Sequence, residues 1–340
     1  MKNKRVLFSE KGKVEFAETD FNEKIESPDE VIIKTLFSQI SPGSELACLA
    51  GLEDWFKIPG TPGYTAVGEI IEKGSNVTFN IGDKVFTFGP HAQYFKINIT
   101  DRWHGLCVKL PDGLPGDIAS FTHLTDIAIS ALRVSNIQLG DYVGVTGMGP
   151  IGNLAAQLAK LQGAQVIVLD INESRLQIAR KCGLTNTINS SSPEVKDELM
   201  KMTSGKGVST LVEASGMAQV AESAMKYISQ YGEMILLGTP RAPYQTNLTE
   251  YLRDVHLFYP SITVKGALEF IIPTQSIEFV KHSKERDCSI IMQLLKEERI
   301  IVKPFYTHKV RPDKAPEMYA GLQNKKDEFI GVVFDWLKIF

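Results

Sequence analysis

Three glycines, Gly147, Gly149 and Gly152, with Asp170 18 residues beyond the last of them, are the residues whose types and spacing point most directly to chemistry. In a G-x-G-x-x-G turn the first glycine permits a tight turn and the second lets the backbone approach a pyrophosphate. The third allows close packing of helix on strand. The backbone amides of Gly149, Ile151 and Gly152 would then meet the phosphates at a helix N-terminus, where Pro150 fits as a first helical residue but supplies no donor. A carboxylate at Asp170 is placed to accept hydrogen bonds from the hydroxyls of an adenosine ribose. It would repel a 2′-phosphate, so the expected cofactor is NAD rather than NADP.

Such a glycine turn is informative only between a strand and a helix, and the flanks supply both. Tyr142–Thr146 is a short β-rich run, residues 151–161 carry apolar side chains at helical spacing, and residues 165–169 read as a second buried strand. Alternation continues with helices at 173–182, 193–202 and 218–228 and strands near 187–188, 210–213, 233–237 and 261–265, the pattern of a parallel, doubly wound sheet. Residues 1 to about 115 differ: short β-type runs at 6–9, 13–17, 30–37, 66–72, 84–88 and 94–97 are separated by turn residues such as Gly82-Asp83 and Pro111-Asp112-Gly113. From Asp117 a helix leads toward the glycine turn. Beyond the parallel sheet come helix-like stretches at 274–281 and 289–297, then strand-like 303–308 and 329–334, placing the tail back in the sheet of the first domain.

A chain of 340 residues exceeds the usual size of one core, so two domains are expected. With 43% hydrophobic and 23% charged residues and a net charge of −3, the chain has no electrostatic footprint for nucleic acid or an anionic membrane. No apolar run approaches the roughly 20 residues of a membrane span, and the N-terminus lacks the apolar core of a signal peptide. Cys48, Cys107, Cys182 and Cys288 are scattered without metal spacing, which fits free thiols in a reducing cytoplasm.

Gly82-Asp83-Lys84-Val85, Pro111-Asp112-Gly113, Gly140-Asp141 and Glu213-Ala214-Ser215-Gly216, in this order around the glycine turn, resemble the medium-chain dehydrogenase/reductase family, which includes the zinc alcohol dehydrogenases. The resemblance implies an α/β protein: a GroES-like, mainly β catalytic domain over residues 1–116 and 296–340, and a Rossmann NAD-binding domain over 117–295. Ser41-Pro42-Gly43-Ser44-Glu45, the run Pro62–Gly68 and the run Phe88–Ala92 are similar to the branch containing bacteriochlorophyllide hydroxyethyl dehydrogenases. That likeness does not carry a tetrapyrrole substrate with it.

In zinc-using members a Cys, a His and often a second Cys hold the catalytic metal. The corresponding positions are Pro42, Tyr64 and His123, and no four-cysteine structural loop is present. One plausible ligand of three leaves no metal expected. A side chain must then polarise the carbonyl or shuttle the proton, and the resemblance places Tyr64 and His123 where lost ligands faced the substrate. Ser44 matches the family hydroxyl that passes the substrate proton toward the cofactor ribose. Arg175 matches a position that reaches the ribose, and Ser215, Gly238, Thr239, Gly266, Ala267 and Leu268 fall beside the nicotinamide.

Each role has a plainer rival: Tyr64 filling vacated space, His123 as a core or capping histidine, Ser44 capping a helix at 45–50. Glu45 reads as structural, and His91 and His104 as loop residues near the cleft. The expectation is a zinc-independent NAD(H)-dependent alcohol dehydrogenase or ketoreductase acting on a small molecule, as a homodimer with residues 256–265 at the interface. The alternatives are a zinc-free reductase of activated C=C bonds and a non-catalytic nucleotide-binding protein.

Overall fold

A computed structural model describes residues 1–339, which divide into two compact units, Met1–His123 with Ile272–Phe340 and Leu124–Ile271. The first unit begins with β1 (Lys2–Glu10), β2 (Lys13–Asp20), β3 (Glu30–Gln39), α1 (Pro42–Leu49), β4 (Ala66–Lys73), β5 (Lys84–Thr87), β6 (Tyr94–Asn98), β7 (Cys107–Lys109) and α2 (Gly116–Ala119). Helix α3 (Thr122–Val134) opens the second unit, followed by β8 (Tyr142–Thr146), α4 (Pro150–Leu161), β9 (Gln165–Asp170), α5 (Glu173–Lys181), β10 (Asn186–Asn189) and α6 (Val195–Met202). It closes with β11 (Val208–Glu213), α7 (Ala218–Ala224), β12 (Ile228–Leu236), α8 (Thr249–His256) and β13 (Thr263–Gly266). The chain then returns to the first unit through α9 (Lys284–Lys296), β14 (Tyr306–Val310), α10 (Ala315–Asn324) and β15 (Gly331–Asp335).

The second unit is a parallel six-stranded sheet in the order β10-β9-β8-β11-β12-β13. Its central strands are apolar on both faces, as parallel strands covered by helices must be. Ile167, Leu169, Leu211 and Met234 form its core with Ile188, Leu199 and Ile228. The order reverses at β8, whose neighbours are β9 and β11, so the loops after β8 and β11 flank the crevice at which such sheets bind ligands.

In the first unit seven strands form one sheet, β14-β15-β3-β4-β5-β7 with β6 also on β3, while β1 and β2 make a separate hairpin. Strand β3 is central: it pairs antiparallel with β4, β6 and β15 and is buried along most of its length. The returning tail thus completes the sheet, and Tyr319, Phe334 and Trp336 pack in one core with Val6, Phe8 and Ile40.

By compactness the units meet in sequence at 123/124 and 271/272, and α9 packs on β7 and α2 within the first unit. Residues 274–281 are irregular rather than helical. The Thr274 hydroxyl donates to the Arg102 carbonyl at 2.6 Å and the Gln275 amide to the Ile99 and Asp101 carbonyls, tying the stretch to another loop instead of to itself. Among the described residues no helix is long and apolar enough to cross a membrane.

All four cysteines are buried and unpaired as disulfides, and burial pushes the thiols of Cys107 and Cys182 up to about 12. Both are therefore expected to resist iodoacetamide at neutral pH until denaturant is added, which mass spectrometry of the alkylated protein checks. In the second unit, Lys265 Nζ lies 2.6 Å from Glu233, which also accepts from Asn136 N–H at 2.7 Å and Thr210 Oγ1 at 3.0 Å. Lys265→Met leaves that buried carboxylate without its cation and should cost about 2–3 kcal/mol in urea denaturation, discounted from a fully buried pair because Lys265 is partly exposed.

Candidate active site

In the second unit the glycine turn has the geometry its spacing calls for. Gly147 has φ +86°, and a Cβ there would lie 2.8 Å from the Ser215 backbone. At Gly152 a Cβ would lie 1.9 Å from the Gly147 carbonyl oxygen, so α4 sits hard on the turn. Gly149 is different: it caps α4 in an extended conformation, and a Cβ there would meet nothing within 4 Å. The packing of the protein itself does not require glycine at 149. The N–H groups of Gly149, Ile151 and Gly152 have no hydrogen-bond partner among the described residues, and they end a helix whose dipole favours an anion.

Asp170 ends β9, 5% exposed. Its Oδ2 accepts the Met148 N–H at 2.6 Å and its Oδ1 the Asn172 N–H at 2.8 Å, so the carboxylate is aimed by the glycine turn itself and keeps acceptor capacity on each oxygen. Arg175 Nη1 is 3.9 Å from Oδ2. Immediately after the acid, Ile171 is 74% exposed. Its only signal in the sequence is an aliphatic residue following the acid.

Ser215, Gly238, Thr239, Gly266, Ala267 and Leu268 follow the carboxyl ends of β11, β12 and β13, alongside the ends of β8 and β9. They are bound into that edge by close backbone approach: Gly238 N–H donates to the Glu213 carbonyl at 2.8 Å, Ala267 N–H to that of Leu236 at 2.9 Å, and Gly216 has room for no Cβ beside the Thr239 carbonyl. A cleft of about 320 Å³ opens there, lined by Glu213, Met217, Leu236, Gly238, Pro240 and Tyr251 among others.

Glu213 organises this edge, a role its place in the Glu-Ala-Ser-Gly run did not announce. Its Oε1 accepts from Ser215 N–H at 2.8 Å and from the Ser215 hydroxyl, and its Oε2 from Gly216 N–H at 3.2 Å. Burial nevertheless dominates and raises its pKa above the ordinary carboxylate value of 4.5, against the lowering by those donors.

The first unit holds Ser44, Tyr64 and His123. The helix starts at Pro42 with Ser41 as its cap residue, so Ser44 lies inside the first turn of α1 and does not cap it. Ser44 Oγ has no hydrogen-bond partner among the described residues. His123, 2% exposed, has Nδ1 2.8 Å from the Tyr64 carbonyl oxygen and 3.1 Å from Thr65 Oγ1. A carbonyl accepts only, so Nδ1 carries the hydrogen and in the neutral ring the basic lone pair is on Nε2. Phe88 stacks on the imidazole with centroids 4.3 Å apart, and the Tyr64 ring meets its edge at 4.9 Å. His91, expected in a loop beside the cleft, is completely buried, with Nε2 3.0 Å from Glu45. His104 lies in an exposed turn beside Asp101.

Residues 150–276 match the zinc-binding dehydrogenase family model. Over nearly the whole length, an Escherichia coli oxidoreductase/dehydrogenase of unknown specificity superposes with a TM-score of 0.83 at 19% identity, covering 98% of this chain and 99% of that one. The superposition shows a shared fold, and the match to the family model is confined to residues 150–276. The mixed β sheet of the first unit and the parallel Rossmann-like sheet of the second are the fold that this structure shares with that oxidoreductase.

Among curated relatives, the D-guloside 3-dehydrogenase of Escherichia coli K12 is 34% identical over 172 residues, 50% of this chain and 49% of that protein. The chain thus matches this relative over about half of its length. A sorbitol dehydrogenase of Halalkalibacterium halodurans is 26% identical over 296 residues, 78% of this chain and 81% of that protein.

The raised pKa of Glu213 has a thermodynamic sign. The native state holds the proton more tightly than the unfolded chain, so this group's contribution to stability is full below pH 4.5 and is lost as pH rises through the raised native value. Glu213→Gln should flatten that slope. In urea denaturation at a series of pH values, the stability advantage of wild type over the variant should shrink as pH rises from 4.5, and a constant difference would contradict the assignment.

Proposed function

We propose that this chain is a zinc-independent, NAD(H)-dependent dehydrogenase or ketoreductase that interconverts a secondary alcohol and its ketone. The observation that carries the cofactor part is Gly149: a glycine with open space where its Cβ would be, at a helix end whose amides are unpaired, beside a carboxylate oriented by the same turn. Bound NAD⁺ supplies the acceptor for the hydride that leaves the alcohol carbon. Gly149, Ile151 and Gly152 would hold its pyrophosphate and Asp170 its ribose, with Arg175 alongside. Ile171 offers apolar surface to the base, and Ser215, Gly238, Thr239, Gly266, Ala267 and Leu268 line the nicotinamide end.

In the first unit Nε2 of His123 would take the hydroxyl proton in oxidation, directly or through Ser44, and return it in reduction. Tyr64 would keep its proton and hydrogen-bond through its phenolic O–H to the substrate oxygen, where a metal would otherwise act as Lewis acid. The zinc-independent part rests on the donor set. Pro42 has no ligand atom and Tyr64 stands in a His position, leaving His123 as the one ordinary ligand type of the three. The curated relatives support the substrate class, since their names describe dehydrogenases of a guloside, of sorbitol and of L-threonine.

We also infer a homodimer joined through the free edge of β13. That edge is open in the sheet order, and Tyr231, Phe258 and Tyr259 beside it are 62%, 78% and 72% exposed. Sedimentation equilibrium of the full chain tests this, and a monomer at micromolar concentration would sink it.

A panel of polyols, hydroxy acids and secondary alcohols with NAD⁺, run against enones with NADH, separates the proposed reaction from C=C reduction. Turnover of neither set with tight NADH binding would favour the non-catalytic reading. NADH should bind more tightly than NADPH in a fluorescence titration, with Asp170→Ala narrowing the gap; tighter NADPH binding would overturn the role of Asp170. Metal analysis of untreated protein should find less than stoichiometric zinc. Tyr64→Phe and His123→Ala should each lower kcat by about 10²-fold or more with NADH affinity unchanged, the size of a lost acid–base group. Near-normal kcat in both would remove them from the mechanism.

A further inference from the structure

Glu45 follows Ser44 in α1 and is 1% exposed. Its Oε1 accepts the Ser41 N–H at 2.7 Å, and its Oε2 accepts from His91 Nε2 at 3.0 Å and from the Tyr319 hydroxyl. The chain continues beyond the imidazole. His91 Nδ1 is 2.8 Å from Ser38 Oγ, which accepts the Trp336 Nε1–H at 2.8 Å. Donors and acceptors balance with His91 as the Nε2–H tautomer: Trp336 donates to Ser38, Ser38 to His91, His91 to Glu45. Ser38, His91, Tyr319 and Trp336 are all at most 1% exposed. Burial and the neighbouring Glu45 carboxylate both hold the Tyr319 phenol well above its ordinary pKa, so it remains a donor.

An apolar cluster of the same volume would hold these strands together as well or better. A polar chain adds direction, and the direction here is specific. The Glu45–Ser41 bond closes the first turn of α1, the turn that carries Ser44. His91 N–H donates to the Pro62 carbonyl at 2.8 Å, and its ring lies so close to Gly63 that a Cβ there would be 2.8 Å from ring carbons. Gly63 has φ +97° and leads directly into Tyr64, whose carbonyl receives the Nδ1–H of His123.

The geometry points to Glu45 and His91 as positioning residues: one buried hydrogen-bonded chain, anchored on Tyr319 and Trp336, holds the segments of Ser44, Tyr64 and His123 in mutual register. This rests on the catalytic reading of those three side chains proposed above. The carboxylate touches no substrate in this account. It sets where the serine turn sits relative to the tyrosine and histidine.

The test uses the full chain saturated with NAD⁺ and ¹⁵N-labelled at histidine. Glu45→Ala should shift the imidazole ¹⁵N signals of both His91 and His123. Glu45→Gln should return His123 to its wild-type shifts while His91 changes tautomer, because the amide can accept from Ser41 N–H and donate to His91 Nε2. Ile70→Val, a core substitution in the same unit, should lower stability and leave both histidines in place, which separates positioning from general loosening. Should Glu45→Ala fail to fold, Tyr319→Phe removes one donor with little change of shape and should move His91 and, less far, His123. His123 signals that stay put in a folded Glu45→Ala or Tyr319→Phe protein would overturn the proposal.

Kinetics separate its failure from failure of the catalytic reading. With the best substrate of the alcohol panel, Glu45→Ala should lower kcat about 100-fold in wild type but only about 3-fold in a Ser44→Ala background, as expected when one residue acts through the other. Equal losses in both backgrounds would count against positioning. Wild-type turnover in Ser44→Ala, Tyr64→Phe and His123→Ala alike would instead sink the catalytic reading, with the histidine signals still deciding whether the chain holds the segments together.

Discussion

A carboxylate taken out of water must find donors for its oxygens, and Glu45 finds them in a backbone amide, an imidazole and a phenol from three separated stretches of chain. That requirement explains much of the first unit. It needs the glycine at 63 so that the His91 ring can lie flat against the backbone, and it needs α10 and the residues after β15 close enough to bring in Tyr319 and Trp336. The polar chain lies against the apolar core of Phe8, Ile40 and Phe334, with the His91 ring edge-on to Phe334 at 5.0 Å between centroids.

The second unit solves its problem locally. Its turn is dictated by two close approaches that only glycine permits, to the Ser215 backbone at Gly147 and to the Gly147 carbonyl oxygen at Gly152, and its acid is oriented by the amide of Met148 inside that same turn. Glu213 repeats the device one strand over, holding Ser215 and Gly216 through bonds that span no more than three residues. Both carboxylates use backbone donors, Asp170 from Met148 22 residues upstream and Glu213 from the residues just after it, so this edge of the unit is formed wherever β8, β9 and β11 lie side by side.

That contrast accounts for what could be read from the sequence. The glycine turn, the alternation of strands and helices and the return of the tail to the first sheet depend on periodicity and on residues a few positions apart, and they were legible. The Glu45–His91 chain depends on Tyr319, 274 residues from Glu45, and on Trp336, 298 residues from Ser38. No local pattern records such partners, so the sequence shows His91 as a loop residue, which it is, but not its complete burial. The stretch from 274 to 281 misled in the opposite way. Ile277 and Val280 have helical spacing, yet Ile277 and Phe279 are 56% and 98% exposed, because the hydrogen bonds of Thr274 and Gln275 go to the loop at 99–102.

The return of the tail also orders events in time. As the chain leaves a ribosome, residues 124–271 are complete before β15 and Trp336 exist, so the parallel sheet can assemble while the first sheet still lacks a partner for one side of β3. Until then Ser38 and Glu45 are short of the indole and the phenol that satisfy them. The parallel sheet is thus able to mature ahead of the Glu45–His91 chain, and a nascent chain stalled before its last few dozen residues would carry a finished glycine turn while the first sheet is still half built.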